Sequence, residues 1–189
     1  MAATEPIRGK NDVSKMTEYF RKCGNKRNLA LFVLSIHTAL RVSDILNLSW
    51  DDVYDFRRKC VRNSIALVEK KTGKSKIIAL NENIIAALGE LAAASAAEGK
   101  AVILNPNTNK AISRIQAYRI IRAAAEEVEL ETRVSCHSLR KTFGYHAWKS
   151  GVSPAVIMDI YNHSSLTVTS RYLGVTQDDK NAVYLGMSY

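Results

Sequence analysis

Apolar residues recur at helical spacing over most of the chain. The first run begins behind Asn11 or Asp12, either of which can cap a helix, and it ends at Gly24. Its apolar positions are Val13, Met16, Tyr19 and Phe20. A second run is apolar on most sides, which predicts a helix buried against others. Its positions are Leu29, Phe32, Val33, Ile36 and Leu40. Arg41 follows at its end, and Ser43 is placed to cap a short helix over DILNL.

The period changes to that of strands in the middle of the chain. CVRNSIALVEK and KSKIIAL are rich in β-branched residues, and Lys71, Thr72 and Gly73 separate them. This pattern predicts a β-hairpin. A later apolar run, AVIL, predicts a short edge strand before the turn cluster NPNTNK.

Helical signals dominate the rest of the chain. Asn81 is placed to cap one helix, Ser113 and Gln116 form a capping box at the next, and Ser153 precedes Pro154 at a short one. A helix near His137 turns three residues at i+4 spacing toward the core, namely Leu139, Phe143 and Ala147. The pattern as a whole predicts a mainly α protein with a small antiparallel β-sheet, an α+β class.

The net charge of the chain indicates a polyanionic partner. The 189 residues include 27 Lys and Arg against 18 Asp and Glu, so the net charge is +9. The segment 57–76 holds eight basic residues and one acid, and it carries +7 of the total. This density favours nucleic acid as a partner over a merely solvated surface. The candidate DNA-binding residues are Arg57, Arg58, Lys59, Arg62, Lys70, Lys74, Lys76 and Lys141.

Cysteine usage and the N-terminus indicate a compartment. Cys23, Cys60 and Cys136 are odd in number, widely spaced and without a CxxC pair, which predicts neither a disulfide framework nor a zinc cluster. MAATEPIRGKND has no apolar stretch of the signal-peptide kind, and LALFVLSIHTAL is far shorter than the roughly 20 residues that span a bilayer. We expect a cytoplasmic protein with no membrane association.

The stretch from His137 to Tyr172 gathers residue types that suit phosphoryl transfer. In a helix that starts near His137, Arg140 follows at i+3 and Gly144 at i+7, so imidazole and guanidinium share a face above a residue without a side chain. Guanidinium binds phosphate oxygens bidentately, and imidazole exchanges protons near neutral pH. His163 and Tyr172 complete the set, because a tyrosine hydroxyl can form a covalent intermediate when its neighbours take its proton and neutralise the phosphate.

Four stretches in order resemble the boxes of the tyrosine recombinase, or phage integrase, family. They are HTALRVSDILNLSWDDV, KKTGKSKIIAL, HSLRKTF and YNHSSLTVTSRYL, and together they span most of the chain. The residues that match the family's catalytic positions are Arg41, Lys71, His137, Arg140, His163 and Tyr172. Two departures stand beside them, since Ala39 and Asn162 occupy positions where the family usually has glycine. The resemblance implies the catalytic-domain fold of that family.

The resemblance also implies an activity. The chain would be a site-specific recombinase or integrase that cleaves and rejoins double-stranded DNA through a 3'-phosphotyrosine on Tyr172, with no metal and no other cofactor. Arg41 and Arg140 would stabilise the pentavalent phosphate, and His163 would add a hydrogen bond. His137 would help to deprotonate the nucleophile.

Two roles have alternatives. In the resemblance Lys71 would protonate the leaving oxygen, a choice favoured by the KTGK register, whereas Lys70, Lys74 and Lys76 lie in the same basic run and remain open as the acid. Asp44 matches an acidic family position and is expected to orient an arginine or His137.

The organisation of the chain follows from the same comparison. Family members usually carry a separate N-terminal domain that clamps the other face of DNA, whereas fewer than 30 residues precede the second helix here. We expect one catalytic domain over residues 1–189, with a polar segment at 1–10, a tail at 176–189 and no N-terminal core-binding domain. The family also implies a homo-oligomer on DNA, up to a tetramer, with a monomer possible in its absence. The tail either folds back on its own domain or docks on a neighbouring protomer.

Three other functions stay open at this point. A type IB topoisomerase would use the same chemistry without a partner site. A catalytically impaired DNA-binding relative would keep the surface and lose turnover. A metal-dependent nuclease would use Asp51, Asp52 and Asp55 to hold Mg²⁺, although these residues also suit a turn between a helix and a strand.

Overall fold

The computed structural model describes residues 4–71 and 73–187, so Thr72 of the predicted hairpin turn and the last two residues of the predicted tail lie outside the described residues. In chain order the described elements are α1 (Lys10–Lys22), α2 (Lys26–His37), α3 (Val42–Asn47), α4 (Trp50–Val53), β1 (Tyr54–Asp55), β2 (Cys60–Val61), β3 (Ser64–Val68), β4 (Ser75–Ala79), α5 (Glu82–Ser95), β5 (Leu104–Asn105), β6 (Lys110–Ala111), α6 (Arg114–Glu127), α7 (Cys136–Lys149), α8 (Pro154–Tyr161), α9 (Leu166–Leu173) and α10 (Gln177–Gly186).

Helix α2 is the centre of the larger core. Every residue from Leu29 to Ile36 is buried, and α1, α5 and α7 pack around the helix. A helix that is apolar on most sides needs such neighbours to cover it. The predicted buried second helix is therefore confirmed. Its cap is Asn25, whose side chain accepts a hydrogen bond from the backbone N–H of Asn28 at 3.1 Å.

The strands form three separate two-stranded antiparallel sheets rather than one. The predicted strand that begins at Cys60 is divided into β2 and β3. Between them, the carbonyl of Asn63 accepts a hydrogen bond from Leu80 N–H, at the end of β4, at 2.9 Å. In the β3–β4 hairpin, Ile65 lies opposite Ile78 and Leu67 opposite Lys76. The AVIL run contributes an isolated bridge, Ser49 with Ala101, and then leads into β5.

Most predicted caps are confirmed, and two are wrong. The side chains of Asn81, Ser113 and Ser153 accept hydrogen bonds from the first turns of α5, α6 and α8. Helix α1 begins at Lys10, before the predicted caps, which places Asp12 in its first turn where a carboxylate favours the helix dipole. Helix α3 is entered from extended backbone at Arg41, which takes the N-cap position predicted for Ser43.

A second, smaller core lies under α7, α8 and α9. Its buried members are Ala39, Ile157, Tyr161 and Leu173. Gly144 of α7 permits this packing, because a Cβ there would lie 2.5 Å from the hydroxyl oxygen of Tyr161. That hydroxyl donates to the carbonyl of Arg140 at 2.6 Å. The glycine expected beneath the phosphate site instead lets α8 approach α7.

Residues 4–8 pack on α7, although the sequence indicates only a polar segment. Ile7 is 1% exposed, and its N–H donates to Thr142 Oγ1 at 2.9 Å. Arg8 donates to the carbonyl of Gly174 at 3.0 Å. A single apolar residue among polar neighbours carries no periodicity, so the pattern could not reveal this contact.

Helix α10 projects its apolar residues into solvent. None of its residues is buried, and the exposed residues in and beside it include Val183, Tyr184, Leu185 and Met187. Its first turn is tied to the body, because Lys149 Nζ pairs with Asp179 Oδ1 at 2.5 Å. Across residues 4–71 and 73–187, no helix combines the length and apolarity needed to cross a bilayer.

Candidate active site

Five of the six predicted catalytic residues meet in one place. Helix α7, capped by Ser135, carries His137 and Arg140 in its first two turns. Helix α9, capped by Ser165, carries Tyr172 in its last turn. His163 lies in the short connection between α8 and α9, and Arg41 lies at the start of α3. The packing of α7, α8 and α9 therefore brings together the predicted i+3 pair, His137 and Arg140, and the pair His163 and Tyr172, which are nine residues apart.

Arg140 is the buried centre of this cluster, at 3% exposure. Its Nε donates to the Tyr172 hydroxyl at 3.2 Å, and its Nη2 donates to the carbonyl of Tyr161 at 3.3 Å. Its Nη1 donates to the carbonyl of Ala39. The guanidinium also lies 4.7 Å from the centre of the Tyr161 ring. These contacts fix the plane of the guanidinium before any substrate is present.

Ala39 shows how the chain accommodates one of its departures from glycine. Its φ is 55°, in the left-handed region that favours glycine. An alanine held there costs about 1 kcal/mol or more. The conformation is compensated, because the carbonyl of this residue accepts the hydrogen bond from Arg140.

The phenol of Tyr172 lies between two imidazoles. The ring centres of His137 and His163 are 5.1 Å and 4.9 Å from that of Tyr172, and both rings stand steeply to it. Burial raises the pKa of Tyr172 above its ordinary value, while the charge and hydrogen bond of Arg140 oppose that rise. The nucleophile candidate is therefore protonated at neutral pH.

The two histidines are neutral in the same range. His137 is exposed along part of its ring, yet desolvation by its neighbours, with Lys141, Arg140, Arg41 and His163 adding to it, lowers its pKa to about 4. A neutral imidazole beside a phenol is able to accept its proton. Burial also lowers the pKa of His163, whose Nδ1 lies 3.1 Å from Thr169 Oγ1.

Arg41 is held by two carboxylates. Its Nη1 donates to Glu69 Oε2 at 2.9 Å and lies 3.9 Å from Asp44 Oδ2. The other oxygen of Asp44 accepts a hydrogen bond from the backbone N–H of Lys70 at 3.1 Å. Asp44 thus lies beside Arg41, in agreement with the first of its two predicted partners, an arginine or His137. Glu69 was missed in the sequence, where it is only the single acid of a basic run; the signal was its inward register after Ile65 and Leu67.

The hairpin lysines occupy different environments. Lys71 is exposed at the turn, where it lines an open cavity of about 500 Å³ together with Arg41, Lys70 and Arg114. Lys74 is also exposed. Lys76 points inward instead, and its Nζ donates to the carbonyl of Ile160 at 2.6 Å. Burial lowers the pKa of Lys76, and Glu69 opposes this.

The candidate DNA-binding residues are divided between the surface and the interior. Arg57, Arg58 and Lys59 are exposed on the turn between β1 and β2, and Arg62 is exposed next to it. Lys141 requires a correction. It is 8% exposed, its Nζ donates to the carbonyl of Thr4 at 2.7 Å, and it lies 5.4 Å from the centre of the Tyr172 ring. The contact with Thr4 draws this lysine toward the N-terminal segment, so most of the residue is removed from the surface.

The three carboxylates of the nuclease alternative serve local structure. Asp52 closes the capping box of α4 with Ser49, and Asp51 accepts a hydrogen bond from Gly99 N–H at 2.7 Å. Asp55 accepts hydrogen bonds from the backbone of Arg57 and Arg58, which supports the interpretation of this segment as a turn. Within the described part of the chain, no group of three or more His, Cys, Asp or Glu side chains is arranged to hold a metal ion.

Comparisons with known proteins agree with this geometry. The model of the Phage integrase family matches residues 9–178. The probable integrase/recombinase YoeC of Bacillus subtilis is 36% identical over 184 residues, which cover 97% of each protein. The tyrosine recombinase XerD of Mycobacterium tuberculosis is 28% identical over 166 residues, which cover 85% of this chain and 51% of XerD. The chain therefore spans nearly the whole of one relative and about half of the other.

Solved structures confirm the fold class. XerA recombinase has a TM-score of 0.77 at 20% identity, with 100% of this chain and 66% of XerA covered. A lambda integrase dimer bound to a COC' core site has a TM-score of 0.69 at 16% identity, with 100% of this chain and 51% of the integrase covered. The alternative enzyme classes are not favoured by these similarities. The chain belongs to the phage integrase family, and its enzyme class is that of the tyrosine recombinases.

Proposed function

We propose that this chain cleaves and rejoins double-stranded DNA at specific sites through a covalent bond between Tyr172 and a DNA phosphate. The observation that carries the proposal is the surroundings of Tyr172: its hydroxyl lies 3.2 Å from Nε of the buried Arg140, and the ring centres of His137 and His163 lie 5.1 Å and 4.9 Å from the centre of its phenol ring. A nucleophile, a cation and two proton-exchanging groups are thereby brought together around one tyrosine.

The first step forms one bond and breaks another at phosphorus. The Tyr172 oxygen attacks the phosphate, its proton passes toward the neutral His137, and the bond to the 5' oxygen breaks. The products are a 3'-phosphotyrosine and a 5'-hydroxyl once an acid protonates the leaving oxygen. Rejoining is the reverse step with another 5'-hydroxyl, so no external energy source is required.

The arginines supply the positive charge for the pentavalent phosphate. A guanidinium has five N–H donors, and Arg140 uses three for the contacts to Ala39, Tyr161 and Tyr172. Two donors remain for phosphate oxygens. Arg41 is partly exposed and uses Nη1 for Glu69, so its other donors are directed to the cavity that it lines. Fixed donors of this kind stabilise charge without reorganising during the reaction.

Lys71 is our proposed acid for the leaving oxygen. It lines the same cavity as Arg41, so a phosphate held by Arg41 would lie within reach of a flexible lysine. Lys76 is less suited, because its ammonium is committed to the carbonyl of Ile160.

DNA is proposed to lie across the β1–β2 turn and the tip of the β3–β4 hairpin. Arg57, Arg58 and Lys59 are exposed on the first, and Lys70, Lys71 and Lys74 are exposed at the second. Arg114 adds a cation at the cavity. Lys141 is left out of this surface because it is buried. Because the proposed substrate is DNA, we propose that the protein acts in the cytoplasm.

Assembly on DNA is proposed to use α10. The exposed Val183, Tyr184 and Leu185 form an apolar surface on a helix whose first turn is held to the body by the pair of Lys149 and Asp179. Docking on a neighbouring protomer would bury these side chains, and closed rings of such contacts would give oligomers up to a tetramer. The relatives named above include an integrase dimer bound to DNA.

The function is tested by trapping the covalent intermediate. A nicked suicide duplex that carries the selected site should give a protein–DNA adduct on denaturing electrophoresis, and EDTA should not prevent it. Tyr172→Phe should abolish the adduct while DNA binding persists, because the only atom lost is the attacking oxygen. Tyr118→Phe, on α6 and outside both the site and α10, is the matched control and should react normally. An adduct that survives Tyr172→Phe would refute the assignment.

The acid is tested by changing the leaving group. Lys71→Ala should slow cleavage of ordinary DNA by about 100-fold or more, as for loss of a general acid. A bridging 5'-phosphorothiolate should restore most of the rate, because a thiolate leaves without a proton. Lys76→Ala serves as the comparison and should show no such rescue. Rescue of Lys76→Ala with none for Lys71→Ala would move the acid to Lys76.

The DNA surface is tested by the salt dependence of binding. If about six phosphates are neutralised, log K against log salt should have a slope near −5. Joint replacement of Arg57, Arg58 and Lys59 by Ala should reduce the magnitude of that slope by about 3. The matched triple is Arg21 and Lys22 at the end of α1 with Lys26 at the start of α2, all exposed, and its replacement by Ala should leave the slope unchanged. If both triples change the slope equally, the β1–β2 turn is rejected as a DNA-facing element.

The same titration on a duplex with two sites tests α10. A chain that ends at Gly174 should bind each site but lose the cooperative second step. Unchanged assembly by the shortened chain would contradict docking on a neighbour.

A further inference from the structure

Glu69 is a fully buried carboxylate that the chemistry above does not use. It follows β3 directly, and Ile65 and Leu67 precede it on the inward face of the strand. A third apolar side chain would continue that face. A charge is buried only at a high cost unless it is paired and hydrogen-bonded, so the groups that it bonds are informative about its role.

One oxygen of Glu69 joins two distant parts of the chain. Oε2 accepts a hydrogen bond from Arg41 Nη1 at 2.9 Å and another from Asn162 Nδ2 at 3.2 Å. Arg41 precedes α3, whereas Asn162 ends α8. The carboxylate therefore sets the distance between the first arginine of the site and the residue just before His163.

Asn162 suits this arrangement better than glycine does. Its φ is 54°, a left-handed conformation that asparagine tolerates more readily than most residues. Glycine would adopt the same backbone but has no amide to donate to Glu69. His163 follows immediately, and its N–H donates to the carbonyl of Met158 at 3.0 Å. The orientation of the histidine thus follows from how Asn162 is held.

The backbone of Glu69 also closes the turn that carries Lys71. Its N–H donates to the carbonyl of Lys74 at 2.9 Å, and its own carbonyl accepts a hydrogen bond from Gly73 N–H at 2.8 Å. Side chain and backbone of one residue thereby connect the arginine, the histidine connection and the lysine turn.

We propose that Glu69 is a positioning residue for DNA cleavage: its buried carboxylate sets Arg41 and the His163 connection relative to each other, and its backbone holds the Lys71 turn beside them. The consequence for cleavage rests on the proposed function, whereas the positioning is a property of the protein without DNA. A displacement of about 1 Å in a reacting group can lower a rate by about 100-fold. The carboxylate acts through its partners and does not touch the phosphate.

The DNA-free protein provides the first test. Glu69→Gln keeps the shape of the side chain and removes its charge. It should shift the Arg41 Nε–H signal in ¹⁵N NMR and speed amide exchange in residues 159–165. Leu67→Ala, on the same face of the same strand, is the control for a loosened hairpin and should change neither. Unchanged signals in Glu69→Gln, or equal changes in Leu67→Ala, would overturn the proposal.

Single-turnover cleavage of the suicide duplex provides the second test. Glu69→Gln and Asn162→Gly should each lower the cleavage rate constant by about 10- to 100-fold at saturating DNA, with the dissociation constant for DNA nearly unchanged. The melting temperature of Asn162→Gly should match that of the unaltered protein, because glycine adopts a left-handed φ without steric cost. The double variant should be no slower than the slower single variant, because both changes break one connection.

The outcomes separate this inference from the function on which it rests. The role of Glu69 is overturned if Glu69→Gln cleaves at the wild-type rate, or if Leu67→Ala lowers the rate constant as much as Glu69→Gln does. It is also overturned if the fold-loss of the double variant equals the product of the two single fold-losses. If the unaltered chain forms no adduct, the proposed function fails, and the DNA-free NMR and exchange results alone decide whether Glu69 positions Arg41 and Asn162.

Discussion

The buried guanidinium of Arg140 is the constraint on which the rest of the site depends. A cation at 3% exposure must find acceptors within the protein, since an unpaired buried charge is strongly destabilising. Its acceptors are the carbonyls of Ala39 and Tyr161 and the hydroxyl of Tyr172. These groups come from the end of α2, the end of α8 and the last turn of α9. Satisfying one side chain therefore fixes where three elements meet, and the left-handed backbone at Ala39 follows from the same need.

This arrangement is a resting state in which the candidate nucleophile is half-buried and protonated. Burial outweighs the arginine in setting the pKa of Tyr172, and His137 is neutral beside it. The carboxylates of Asp44 and Glu69 balance Arg41 until a phosphate is present. Lys71 remains exposed on the turn. The protein thus holds a neutral imidazole and two guanidiniums near the phenol before any substrate is bound.

The parts of this account that could be predicted from the sequence are those that depend on local spacing. The i+3 relation of His137 and Arg140, the capping residues of α5, α6 and α8 and the hairpin all follow from short-range patterns, and the ordered boxes identify the family. Relations between distant segments could not be predicted in this way. Glu69 and Lys76 belong to a run that appears uniformly basic, yet their inward register directs them to α8. Lys141 is covered by residues that precede it by more than 130 positions. Sequence patterns do not encode such contacts.

The most direct test of the role of Arg140 is the pKa of Tyr172, measured by ¹³C NMR on ring-labelled tyrosine and assigned with Tyr172→Phe. The unaltered protein should show a pKa above the ordinary value of about 10. Arg140→Gln should raise it further, because burial remains while the nearest positive charge is gone, and Arg41→Gln should raise it less. Far-ultraviolet circular dichroism establishes that each variant is folded. A pKa that stays the same or falls in folded Arg140→Gln would contradict the claim that Arg140 holds the nucleophile.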